Sequence, residues 1–155
     1  MKKIIIFLVI IIGVFAAIGL ITKMQQNEKV EGNKYKKNDL QAATIDQLDD
    51  PLYQNLILPD DLNKKLKNKE DVTVYFYSPE CSYCKQTTPI VNPVAEEMDI
   101  NLLQYNLLEF EHGFNDYGIT HTPTLIHFKD GVELDRIVGA HPEEDFKAFF
   151  NENVN

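Results

Sequence analysis

Two cysteines occur in the 155 residues, and they stand three positions apart, Cys81 and Cys84, in the stretch YSPECSYCKQ. Sulfur so scarce and so paired points to thiol chemistry. The run before it, VTVYFY (Val72–Tyr77), is β-branched and aromatic throughout and predicts a strand buried on both faces. After it, Ile90, Val94 and Met98 recur at four and predict a helix over Cys81–Met98, kinked at Pro89 and interrupted again at Pro93. A thiol at a helix N-terminus meets unpaired N–H groups and the positive end of the macrodipole, which favour the thiolate. Cys81 is therefore expected to be the exposed, attacking sulfur. Cys84, nearly one turn inward, is expected to resolve the mixed disulfide formed on Cys81.

Other uses of two thiols fit less well. A static disulfide across three residues closes so small a loop that it stabilises little. Structural zinc takes four ligands, and His112, His121, His127 and His141 show no i, i+3 or i, i+4 pairing. Covalent haem attachment needs a histidine after the second cysteine, where Lys85 stands. Cu(I) held by Cys81, Cys84 and His121 is chemically reasonable and stays open as a metallochaperone alternative. A non-catalytic binding module stays open as well.

The elements that must position the pair follow from periodicity. DDLNKKLKNK predicts a short amphipathic helix through Leu62 and Leu66; NLLQYN (Asn101–Asn106) predicts a strand. LLEFEHGFNDYG predicts a short helix stopping near Gly118. TLIHFK and VELDRIVG flank Asp130-Gly131, a hairpin turn signal. PEEDFKAFFNE is a closing helix, with acids in its first turn and Phe146, Phe149 and Phe150 as its apolar stripe. The order α-β-α-β-α-β-β-α predicts an α/β domain with a mixed central sheet and helices on both faces.

Three regions are expected: 1–21, 22–45 and 46–155. Ile4–Ile21 is eighteen residues without a charge, about 27 Å as a helix, and predicts an N-terminal transmembrane helix. Lys2 and Lys3 ahead of it, and Ala17–Gly19 within it, also fit a cleaved signal, but apolar residues continue through Ile21, which favours an uncleaved anchor. Thr22–Asp39 has almost no large aliphatic residues and reads as a solvated tether. Lys23, Lys29, Lys34, Lys36 and Lys37 on the far flank oppose the orientation set by Lys2 and Lys3. Long domains translocate largely regardless of charge, so the domain is placed on the extracytoplasmic side of a single-pass protein of the cell membrane, or secreted if the segment is removed. Residues 1–45 carry seven lysines and three acids, a net of +4; residues 46–155 carry eight Lys and Arg and twenty-one Asp and Glu, a net of −13. Such a domain is a poor nucleic-acid binder.

VYFYSPECSYCKQTTP followed by YGITHTPTLIHFKDGVELDRIVGAHPEEDFKAFF resembles the thioredoxin family, over roughly Ile57–Phe150. The likeness is carried by the Cys81/Cys84 pair, Pro89, Thr122–Thr124 as T-P-T, Phe128–Gly131 as F-K-D-G, and Gly139. It implies a thioredoxin-like fold with Pro123 in cis facing the cysteines, where an extended substrate segment pairs with the backbone. Thr122, Pro123 and Tyr83 are then the expected substrate-binding positions. It further implies a monomeric protein thiol–disulfide oxidoreductase with protein thiol or disulfide substrates, no metal or organic cofactor, and a redox partner in the membrane or another thiol protein. The chain departs from the family pattern in three places. Glu80 stands where a tryptophan is usual, Tyr75 takes the slot of a buried acid, and Gln104 takes that of its lysine partner. The acid that would accept a proton from the inner thiol is therefore missing, with Glu80, Tyr83 or water as candidate substitutes. Glu80 is also expected to oppose the Cys81 thiolate.

Overall fold

The computed structural model describes residues 2–154. Met1 and Asn155, at the ends of the expected anchor and of the expected domain, lie outside the described residues. The chain divides into two compact units, Met1–Leu40 and Gln41–Asn155. The first is dominated by helix α1 (Lys2–Val30), so the stretch expected as tether is helical through Val30. Within α1, Lys3–Met24 is long and apolar enough to cross a membrane by length and composition.

The second unit opens with a single turn, α2 (Ala42–Ile45), and a 3-10 turn (Pro51–Tyr53). Then follow α3 (Pro59–Lys67), β1 (Val72–Tyr77), α4 (Ser82–Glu97), β2 (Leu102–Asn106), α5 (Gly113–Asp116), β3 (Thr124–Lys129), β4 (Val132–Val138) and α6 (Glu143–Asn153). The sheet order is β2-β1-β3-β4. β1 pairs parallel with β2 and antiparallel with β3, and β3 pairs antiparallel with β4. This is the mixed sheet the periodicity predicts. The helix expected over LLEFEHGFNDYG is shorter than the pattern implies: only Gly113–Asp116 is helical, and turns occupy the rest.

β1 is buried along its whole length, and its side chains divide by the two-residue period of a strand. Val72, Val74 and Phe76 join a core with Leu62 of α3, Leu103, Tyr105, Ile126 and Phe128. Tyr75 and Tyr77 face the opposite layer, with Cys84, Val91 and Val94 of α4 and Phe146, Phe149 and Phe150 of α6. The strand that ends one step before the cysteines is thereby clamped from both sides. α4 stays helical through Pro89 and Pro93. At the β3–β4 turn, Asp130 (φ 52°) and Gly131 (φ 77°) both take left-handed conformations, as a two-residue hairpin turn demands. A side chain at Gly131 would run into the Leu66 carbonyl.

Candidate active site

Cys81 is the N-cap of α4, in extended conformation, and its Sγ accepts the Cys84 N–H at 3.2 Å. A sulfur thus takes the place that an Asp or Ser oxygen fills at most helix starts. The Cys81 N–H donates to the Ser78 carbonyl, closing the turn that carries the chain from β1 into α4. Both thiols are free; Cys81 is half-buried and Cys84 buried.

The two sulfurs differ sharply in acidity. Burial pushes the Cys81 thiol up, but hydrogen bonds from the Cys84 thiol, the Thr122 side chain and the Cys84 and Tyr83 backbone outweigh it, and its pKa lies below the ordinary cysteine value. The Thr122 carbonyl, 3.3 Å from Cys81 Sγ, works the other way: it can accept only from the protonated thiol. Donors to the sulfur outnumber that one acceptor, and the net shift is downward. Glu80 is exposed, and it is not among the largest influences on Cys81, so the expected opposition has little weight. For Cys84, burial and then the hydrogen bond it gives to Cys81 push the thiol up to about 12. The outer sulfur is the more acidic of the two, and the inner one is held protonated.

Beneath Cys84 lies a layer of hydroxyls. Thr88 Oγ1 donates to the Cys84 carbonyl at 2.8 Å and sits 3.3 Å from the Tyr75 hydroxyl. Tyr53 interacts with the same threonine, and its ring lies tilted against that of Tyr77, centroids 5.3 Å apart. Burial, and then the nearby Cys84, hold Tyr75 well above the usual tyrosine range, so it stays neutral. Gln104, paired with Tyr75 across the β1–β2 register, donates to the Leu52 carbonyl at 2.6 Å. The slots that carry a buried ion pair in the family pattern thus hold neutral groups here.

The second wall of the site comes from the start of β3. The Thr122–Pro123 peptide bond is cis. Thr124 Oγ1 donates to the His121 carbonyl at 2.7 Å, and the Gly139 N–H donates to the Pro123 carbonyl at 2.8 Å. A groove of about 320 Å³ runs alongside, lined by Tyr83, His121, Thr122, Val138, Gly139 and Ala140. Tyr83 is 61% exposed at its edge. The structure therefore brings Cys81, Cys84, Tyr83, Thr122 and Pro123 to one end of the sheet. His121 lines the groove, its Nδ1 against Thr120 Oγ1. Among the described residues no three of His, Cys, Asp and Glu gather as a metal-ligand group, so the copper reading gains no support from His121. A larger cavity of about 400 Å³, between the 3-10 turn and the far half of α4, is lined by residues such as Leu52, Asn92 and Gln104 and contains no thiol.

A thioredoxin family model matches residues 55–152. The chain belongs to the thioredoxin family. It is 27% identical over 114 residues to a thioredoxin of Porphyra purpurea, spanning 72% of this chain and 99% of the relative. It is 31% identical over 91 residues to a thioredoxin of Rickettsia bellii, spanning 57% and 87%. It is 34% identical over 80 residues to thioredoxin 1 of Synechococcus elongatus, spanning 50% and 75%. The solved structure of Malassezia sympodialis thioredoxin shares the fold at a TM-score of 0.56 and 20% identity, covering 63% of this chain and 88% of that one. At the level of the family this is thiol–disulfide oxidoreductase chemistry on protein thiols.

Sequence reasoning did not find three parts of the site. Tyr53 lies in an irregular stretch with no periodic signal. Thr88 reads as one more residue of a helix. Val138 and Ala140 flank Gly139 of the family pattern, and that adjacency was the available clue.

Proposed function

We propose that this chain is a thiol–disulfide oxidoreductase acting on protein cysteines outside the cytoplasm through Cys81 and Cys84. The observation that carries the reading is the split in acidity: Cys81 caps a helix with its thiol pKa lowered, while Cys84 beside it is raised to about 12. In the reductive direction the Cys81 thiolate attacks one sulfur of a substrate disulfide. That S–S bond breaks, the other substrate sulfur leaves as a thiolate, and a mixed disulfide forms on Cys81. Cys84 then attacks Cys81 Sγ, giving up its proton to solvent, and the second substrate sulfur leaves as a thiolate. Two electrons pass to the substrate, and a Cys81–Cys84 disulfide remains. Oxidation of a substrate dithiol runs the same steps backwards. A reduction potential near about −270 mV would make the protein a reductant and one near about −120 mV an oxidant.

Thr122 and Pro123 hold an extended substrate segment beside Cys81, and Tyr83 borders the groove into which its side chains would project. No metal or organic cofactor takes part in these steps. The region 46–155 is the catalytic domain, acting as a monomer, and 1–21 anchors it in a membrane with the domain on the extracytoplasmic side. The anchor reading rests on the 22-residue apolar span Lys3–Met24; a cleaved signal would have the same composition. A membrane redox partner or a second thiol protein would exchange electrons with the pair.

The test is reduction of insulin by the full chain, together with trapping in cells. Cys81→Ser should abolish turnover, and Cys84→Ala should accumulate mixed disulfides with exported proteins. Turnover that survives Cys81→Ser, or a Cys84→Ala variant that captures nothing while the wild type is active, would refute the assignment.

A further inference from the structure

Glu80 stands at the site but outside the sulfur chemistry. The Cys81 N–H meets the Ser78 carbonyl at 3.1 Å, so Ser78–Cys81 is a β-turn with Pro79 and Glu80 at its corners. Pro79 is buried, and the Glu80 N–H donates to Ser78 Oγ at 3.3 Å. The turn thus packs on its proline and presents the glutamate to solvent, one Cα step of about 3.8 Å from Cys81. Among the described residues the Glu80 carboxylate has no ion-pair partner. It has little weight on the Cys81 thiol, so its charge is left for whatever approaches that sulfur. The groove alongside is lined by no Asp, Glu, Lys or Arg. Lys85 lies a full helical turn, about 6 Å, further down α4. Glu80 is therefore the formal charge nearest to Cys81 along the chain. On the other side of Cys81, Tyr83 offers a ring that is 61% exposed, and an aromatic face attracts cations. The domain adds a field of the same sign, with eight Lys and Arg against twenty-one Asp and Glu in residues 46–155.

We propose that Glu80 is a specificity-determining residue: with Tyr83 on the other side of Cys81, its carboxylate selects protein substrates that carry lysine or arginine beside the reacting cysteine. This rests on Cys81 acting on protein disulfides, as the functional proposal holds. A basic side chain flanking the substrate sulfur gains the carboxylate and the aromatic face. An acidic one meets a like charge. Where the family pattern has a tryptophan, this chain thus exchanges an apolar contact for a charged one. Both groups lie at the surface, so the selection is modest and sensitive to salt.

The test uses the full-length chain in detergent and two disulfide peptides, identical except for lysine or glutamate beside one cysteine. The kcat/KM of the lysine peptide is divided by that of the glutamate peptide, first in the wild type and then in Glu80→Gln. Dividing the first ratio by the second removes the intrinsic reactivity of each peptide and any change in the acidity of Cys81. At low ionic strength this double ratio should be about threefold to tenfold, and in about 1 M salt it should fall toward one. Glu80→Lys should invert the preference, and Tyr83→Leu should lower it by a further factor of about two. A double ratio of one at low ionic strength would overturn the inference. A second readout needs no turnover: modification of Cys81 by two small alkyl thiosulfonates, one bearing an ammonium group and one a sulfonate. The cationic reagent should be favoured about twofold more in the wild type than in Glu80→Gln. If no peptide is reduced, the functional proposal fails, and the reagents still decide whether Glu80 selects by charge at Cys81; an equal reagent ratio in the two proteins would overturn that selection as well.

Discussion

Cys81 and Cys84 are the same chemical group, and their surroundings alone lower the pKa of one and raise that of the other. The outer sulfur collects hydrogen bonds from Cys84 and from the Cys84 and Tyr83 backbone. The inner one is desolvated and donates toward it. That asymmetry was legible in the sequence, which places Cys81 at the helix start and Cys84 nearly one turn further in, on the side that carries Val91 and Val94. The surroundings of the inner thiol were less legible. Tyr75 could be read as replacing an acid, but its hydroxyl lies against Thr88, which in turn holds the Cys84 carbonyl. A threonine inside a helical pattern gives no sign that it will bond a tyrosine from a strand thirteen residues earlier. The candidates Glu80 and Tyr83 are both exposed, and neither shares this buried layer.

At the scale of elements, β1 fixes the site because it is clamped on both faces and ends one short turn before Cys81. Its unbroken run of β-branched and aromatic residues announced this. What the pattern concealed is a polar pair inside the sheet. Thr73 Oγ1 and His127 Nδ1 lie 3.0 Å apart across the β1–β3 register, with His127 only 4% exposed. Burial holds the His127 pKa below its usual value; Asp71 pulls it up and Lys129 pushes it down, both more weakly. The unfolded chain therefore binds this proton more readily than the folded one. The stability His127 contributes is complete above about pH 6.5 and is lost as pH falls from there toward the lower folded value. Urea-unfolding midpoints compared between about pH 7 and pH 5 should fall more steeply for the wild type than for His127→Gln. Parallel slopes would show that the buried histidine takes no part. The short α5 marks the other limit of periodic reading. Leu107 and Phe110 pack into the core from a run of turns, so apolar spacing there reflects burial without a regular helix.

At the scale of the molecule, the chain pairs an apolar helix with an acidic unit of the thioredoxin family. All the groups that set the acidity of the two sulfurs lie in Gln41–Asn155. A chain of residues 22–155 should therefore reduce insulin at the wild-type rate while leaving the membrane fraction. A large loss of rate in that soluble chain would mean the amino-terminal helix has a part in turnover. Composition announced both regions; the boundary between them was harder to read, because the lysine-rich stretch taken as tether is helical through Val30. The functional proposal depends on an ionised Cys81 at the start of α4. The direct measurement is the pH dependence of alkylation of the fully reduced protein, with each cysteine followed separately by mass. Cys81 should reach half-maximal reactivity below the ordinary cysteine value of about 8.5, with Cys84 unreactive over the same range. A Cys81 that titrates at or above that value, or a Cys84 that reacts first, would contradict the account.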